Sequence, residues 1–132
     1  MPKIKPVKSD DREAKRRFVM RLIDWLESYG FWQDVAIYAN GLKFASDRYN
    51  EDTEIIESTT RKGTIYYESR VPDPRKIVEY ANPDLITMTF EGPLYNAINY
   101  DSDAEKGLAE LFSRYGMYFE FGYAWSLSAY EE

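Results

Sequence analysis

The sequence contains neither cysteine nor histidine. The first absence excludes disulfides, thiolate nucleophiles and cysteine-held metals. The second removes the side chain best suited to proton transfer near neutral pH, and a common metal ligand. No apolar run approaches the roughly 18 residues of a membrane span, and the first residues lack the charged-then-apolar order of a signal peptide. Phosphate loops, glycine-rich dinucleotide fingerprints and nucleophile elbows are missing as well. The expectation is a cytoplasmic chain, off the membrane, with no cofactor, no metal and no assignable catalytic residue.

What is present is a chain of 132 residues, long enough for one domain with a real core. Aromatic residues are plentiful: 12 Tyr, 7 Phe and 3 Trp make 17% of the chain. Such rings serve cores and interfaces alike. The net charge of −6 hides a split. Residues 1–21 hold eight Lys/Arg against Asp10, Asp11 and Glu13, whereas residues 22–132 hold nine basic and twenty acidic residues. An acidic body repels phosphates, so nucleic acid is not a favoured partner.

Residues 1–8, MPKIKPVK, read as a flexible basic arm that the fold can lose, and residues 9–132 as a single domain. Asp10 with Glu13 forms a capping box, after which Phe18, Leu22, Trp25 and Tyr29 line one stripe of a helix ending at Gly30. Asn40-Gly41 between two strand-like runs marks a two-residue hairpin of type I′. A second, weaker pair of strands spans 53–58 and 64–70. The polar loop between the two hairpins, with Asp47, Glu51 and Asp52, reads as a solvated turn. Asp73-Pro74 opens a short helix that must end before Pro83.

The stretch LITMTFEGPLYNAINY, Leu85 to Tyr100, predicts the middle of the core. Ile86, Met88 and Phe90 alternate with Thr87, Thr89 and Glu91, then Gly92-Pro93 turns the chain into a short helix. Ser102 with Glu105 caps another helix, which runs to Gly116 and tolerates Gly107 at about 1 kcal/mol relative to alanine. The close, MYFEFGYAWSLSAY, is too long for one strand and predicts a turn near 122–124. Tyr29-Gly30 and Tyr115-Gly116 each end an amphipathic helix and lead into a strand, an echo open to duplication or to shared C-cap chemistry. Together these segments predict an α+β fold. It has a mainly antiparallel sheet of about five to seven strands, with two longer and two short helices packed mostly on one face.

Strand parity supplies the one candidate site. If Ile65, Tyr67, Ile86, Met88, Phe90, Met117, Phe119 and Phe121 face the helices, then Tyr66, Glu68, Glu91, Tyr118 and Glu120 share the opposite face with Thr87 and Thr89. Three carboxylates among tyrosines can meet a cation, a basic peptide, a sugar or a second copy of the chain. A half-wet sheet of this kind also carries Thr, Tyr and Glu without any ligand.

ITMTFEGPLYNAINY and RYGMYFEFGYAWSLSAY resemble the C-terminal part of small uncharacterised proteins encoded on mobile elements of gut Firmicutes. The likeness covers roughly the last fifty residues, and it implies a bacterial accessory role. The residues themselves favour a non-enzymatic protein-interaction or regulatory module, with a protein partner or self-association. The alternatives are a nucleic-acid-linked role, by acidic mimicry or through the basic arm, and a carboxylate-based enzyme.

Overall fold

The computed structural model describes residues 4–48, 54–100 and 102–132. The chain runs α1 (Arg12–Ser28), β1 (Val35–Ala39), β2 (Leu42–Ala45), β3 (Ile55–Thr59), β4 (Ile65–Arg70), a 3-10 turn (Pro74–Lys76), β5 (Thr87–Phe90), α2 (Pro93–Tyr100), α3 (Ser102–Arg114), β6 (Met117–Phe121) and β7 (Ser126–Glu131). The seven strands form one sheet in the order β3-β4-β2-β1-β5-β7-β6, with every pairing antiparallel. The α+β class and the antiparallel sheet follow the sequence pattern. The helix inventory differs, with α1, α3 and the shorter α2 among the described residues.

The fourth expected helix, over residues 73–81, shrinks to a single 3-10 turn. Asp73 caps it by accepting from the Arg75 N–H at 3.1 Å, but the backbone turns left-handed at Tyr80, with φ of 67°. With Pro83 close behind, no second helical turn can form.

At α1 the capping residue is Asp11 rather than Asp10: its carboxylate accepts from the Ala14 N–H at 3.0 Å. That bond, with Lys5 nearby, holds the Asp11 carboxyl below its usual pKa. The other end closes on Gly30, which adopts φ of 74°. The Gly30 N–H donates to Glu27 and the Phe31 N–H to Leu26, a pattern that satisfies the last carbonyls of the helix. Gly116 ends α3 at the same φ, donating to Ser113. The echo between the two units is thus a shared terminator. The strands that follow are placed differently, since β1 lies inside the sheet while β6 is its edge.

One continuous core joins the three helices to one sheet face. Phe18, Val19, Leu22, Ile23 and Leu26 of α1, Leu94 of α2, and Leu108, Leu111 and Phe112 of α3 meet Val35, Ile37, Phe44, Met88, Phe90, Met117, Leu127 and Ala129. Phe18 and Phe112 pack at 5.0 Å between ring centroids. Gly107 has a packing reason: a Cβ there would lie 3.2 Å from the Trp25 ring of α1.

The basic arm is not separate from this core. Val7 is only 2% exposed, and its N–H donates to the Tyr115 carbonyl at 2.8 Å. Pro6 fills the space beside Gly116. Lys15 extends the anchoring, donating to the carbonyls of Ser9 at 2.7 Å and Asp84 at 3.1 Å, and burial lowers its pKa. A lone valine between prolines and lysines carries no periodicity, so the sequence gives no sign of its burial.

Phe90, fully buried on β5, sets a first expectation: Phe90→Ala costs roughly 3–5 kcal/mol, because its cavity cannot close. Thr87→Ala, on the other side of the strand, is not neutral either. Its hydroxyl, which has no exposure, accepts from the Asn82 N–H at 2.9 Å and pairs with Ser128 at 3.0 Å. Loss of about 1–3 kcal/mol follows, since a buried donor is left unpaired. Urea denaturation of both variants reads the two costs. Deleting residues 1–8 lowers the melting temperature because it uncovers the Val7 site; an unchanged melt would show that this contact contributes nothing.

Candidate functional site

The sheet face turned away from the helices carries Ala36, Tyr38, Lys43, Thr87, Thr89, Ser126, Ser128, Tyr118 and Glu120, as the cross-strand register requires. Residues 71–84 cross it as a strap. Val78, buried at 1%, packs with Ala36 and Tyr38, and Val71 and Ala81 close around them. The strap is fastened by hydrogen bonds. The Asn82 side-chain amide donates to the Ala129 carbonyl at 2.7 Å, and the Ser128 hydroxyl donates to the Tyr80 carbonyl at 3.0 Å.

Beside the strap the face stays open. There a depression of about 510 Å³ is lined by Asp34, Ala36, Tyr38, Lys43, Ile77, Val78, Thr89, Glu91 and Trp125, among others. Its acidic wall is made by backbone pairing: the Glu91 N–H donates to the Asp34 carbonyl at 3.1 Å. Asp34 holds φ of 56°, unusual for a residue with a side chain. The loop after β2 keeps it there, since Asp47 accepts from the Asp34 N–H at 2.9 Å and from the Ser46 hydroxyl at 2.8 Å. Asp47 is therefore a bracket for Asp34 and not a free turn carboxylate; Glu51 and Asp52 lie outside the described residues. Gly92 permits the close approach, because a Cβ there would meet the Gln33 carbonyl oxygen at 2.7 Å.

Trp125 forms the aromatic wall. Its carbonyl accepts from the Phe90 N–H at 2.8 Å, which ties the hairpin end to β5. Its ring stacks on Tyr123 at 5.1 Å and 10°, and Tyr123 in turn packs on Tyr80 at 5.9 Å. The Tyr123 hydroxyl donates to Glu79, whose carboxylate raises the pKa of the phenol.

Only part of the five-residue face expected from parity comes together. Tyr66 lies on the helix side, 3% exposed, with its ring 5.9 Å from Phe44. Glu68 is also on that side and pairs with Arg16 of α1 at 3.0 Å. The register fixes both, because Phe44 lies opposite Glu68. Ile65, expected inward, is 48% exposed. An Ile-Tyr-Tyr run gives no alternation by which to choose a face, and the cross-strand partner decides. Glu91 borders the depression. Tyr118 and Glu120 are exposed on the same side of the sheet but out on β6, where Tyr118 packs on Tyr130 at 5.6 Å.

Asp34 and Trp125 had no part in the parity argument, since both stand at element ends where strand parity stops. The signal that points to them is local: an aspartate just before a strand, and a tryptophan two residues beyond a Gly-Tyr turn. Among the described residues no group of three or more acidic side chains is placed to hold a metal ion. No helix among them is long and apolar enough to cross a membrane. No protein-family model, curated protein or solved structure matches the chain.

The junction between Asp34 and Glu91 yields a paired expectation. Gly92→Ala costs about 1–3 kcal/mol, because the clash is with backbone that cannot step aside. Asp34→Gly stays within about 1 kcal/mol of the parent, since both backbone bonds survive and glycine accepts positive φ. Denaturation midpoints test both. A large loss for Asp34→Gly would mean that the carboxylate itself holds the loop.

Proposed function

We propose that this chain is a non-enzymatic protein-interaction module, and that its Trp125 depression receives an arginine or lysine side chain from a partner protein. The observation that carries this reading is the wall made by Asp34 and Glu91 beside the Trp125 indole. Two carboxylates drawn together by one backbone hydrogen bond favour a cation between them. An indole face attracts the same cation, and the Tyr123 stack holds the ring in place. The aliphatic stem of an incoming arginine or lysine finds Ala36, Ile77 and Val78. Lys43 on the lining biases the cation toward the acidic wall.

The acidic balance of residues 22–132 supports a basic partner, because it steers such a protein from a distance. Without cysteine or histidine, the chain also has few routes to proton transfer or covalent catalysis. An accessory role of the kind implied by the C-terminal resemblance agrees with recognition rather than turnover.

The test compares an arginine-rich hexapeptide with its citrulline counterpart, which keeps the shape but loses the charge. The Trp125 indole N–H resonance moves with the arginine peptide and stays in place with citrulline. Changing Asp34→Asn and Glu91→Gln together weakens binding about tenfold or more. Added salt weakens it too, since exposed charges are screened over about 10 Å at 0.1 M. An equal response to both peptides would end the proposal. So would a concentration-dependent dimer in sedimentation that Trp125→Ala dissolves, because the occupant would then be a second copy of the chain.

A further inference from the structure

A second site of opposite sign lies between α1 and the turn joining β3 to β4. A cavity of about 440 Å³ is lined there by Arg17, Met20, Arg21, Asp24, Arg61 and Lys62. Arg17 and Arg21 stand one helical turn apart on α1 and share a face. Arg61 and Lys62 come from the turn, which is held rigidly. Thr60, 6% exposed, donates its hydroxyl to Asp24 at 2.6 Å and accepts from the Thr64 N–H at 3.2 Å. The Gly63 N–H then closes the turn on the Thr60 carbonyl at 3.0 Å. One buried threonine therefore fixes two cations against two others.

Within the site Arg17 has an ion pair, an exposed one with Glu13 at 2.8 Å, and pairs of that kind hold a side chain only weakly. Arg21, Arg61 and Lys62 make no ion pair among the described residues. Asp24 is the one carboxylate in the lining, and it is engaged by Thr60. Four cations gathered around one carboxylate repel each other unless an anion joins them.

We propose that this corner is a binding site for a compact phosphate-bearing ligand, of monophosphate or diphosphate size. Arginine forks match phosphate oxygens two at a time, and the lysine adds a point charge. Met20 gives the cavity an apolar floor for whatever the phosphate carries. An extended polyanion fits less well, since most of its length would run over the acidic body.

The test is a titration of the full, 15N-labelled chain with sodium pyrophosphate at constant ionic strength, followed by ADP and a short single-stranded oligonucleotide. Pyrophosphate moves the amides of residues 17–24 and 60–63 and leaves those around Trp125 unmoved. Arg21→Gln with Arg61→Gln weakens binding about tenfold without lowering the melting temperature, whereas Lys76→Gln changes nothing. ADP equal to pyrophosphate shows that the phosphates alone are read. Tighter binding of ADP shows that the nucleoside is seated as well, and either result supports the site. Silence toward pyrophosphate overturns it, including the case in which only the oligonucleotide binds. Equal weakening by Lys76→Gln also overturns it, because binding would then follow net charge and not this corner.

Discussion

Asn82 is the fastening on which the far side of this protein depends. Its backbone N–H donates to Thr87 and its side chain to the Ala129 carbonyl, so one residue joins the strap to two neighbouring strands. Thr87 and Ser128 complete the patch beneath it. Polar groups buried in this way must be paired, and here the pairing fixes how the strap crosses the sheet. With the strap in place, Val78 covers Ala36 and Tyr38, and the ground between Trp125 and Asp34 stays open. A sheet with helices on one face needs some answer for the other. In this chain the answer covers one part and leaves a shaped cleft in the rest.

The same economy holds at the cleft edge. Asp34 sits in a backbone conformation that costs something for any residue but glycine, and three groups hold it there: Asp47, Ser46 and the Glu91 N–H. Ser46 acts one residue on, accepting from the Val35 N–H at 2.9 Å. Strain that is supported from several sides tends to mark places where a side chain has a task. Here the consequence is two carboxylates at one corner of an aromatic-walled depression. On the helix side the Thr60–Asp24 bond does comparable work for charges of the other sign. The modest net charge thus conceals two regions of opposite sign.

Much of the fold was legible in the sequence because it rests on short-range rules. Asn40 and Gly41, at φ of 58° and 75°, form the hairpin turn, since both residues tolerate the positive φ that it requires. The alternation of Ile86, Met88 and Phe90 marks β5 and its inward face, although β1 and not β5 holds the middle of the sheet. Less of the candidate site was legible. Strand parity puts Glu91, Thr89, Tyr118 and Glu120 on the side where the structure has them, but Tyr66 and Glu68 on the opposite one. Nothing local in the sequence marks Val7 as buried, because its burial depends on a hollow that α1 and α3 make together.

The sequence by itself determined the element types outside residues 73–81, the hairpin turn, the helix terminators and the exclusion of cysteine and histidine chemistry. Each follows from residues a few positions apart or from composition. Tertiary structure alone decided the orientation of β4, the path of the strap and the meeting of Asp34 with Glu91 and Trp125. Those depend on cross-strand register and on hydrogen bonds between residues 40 to 60 positions apart, such as Asn82 with Ala129 and Glu91 with Asp34. No local pattern encodes such pairings, because the partner that fixes a residue's direction lies on another strand.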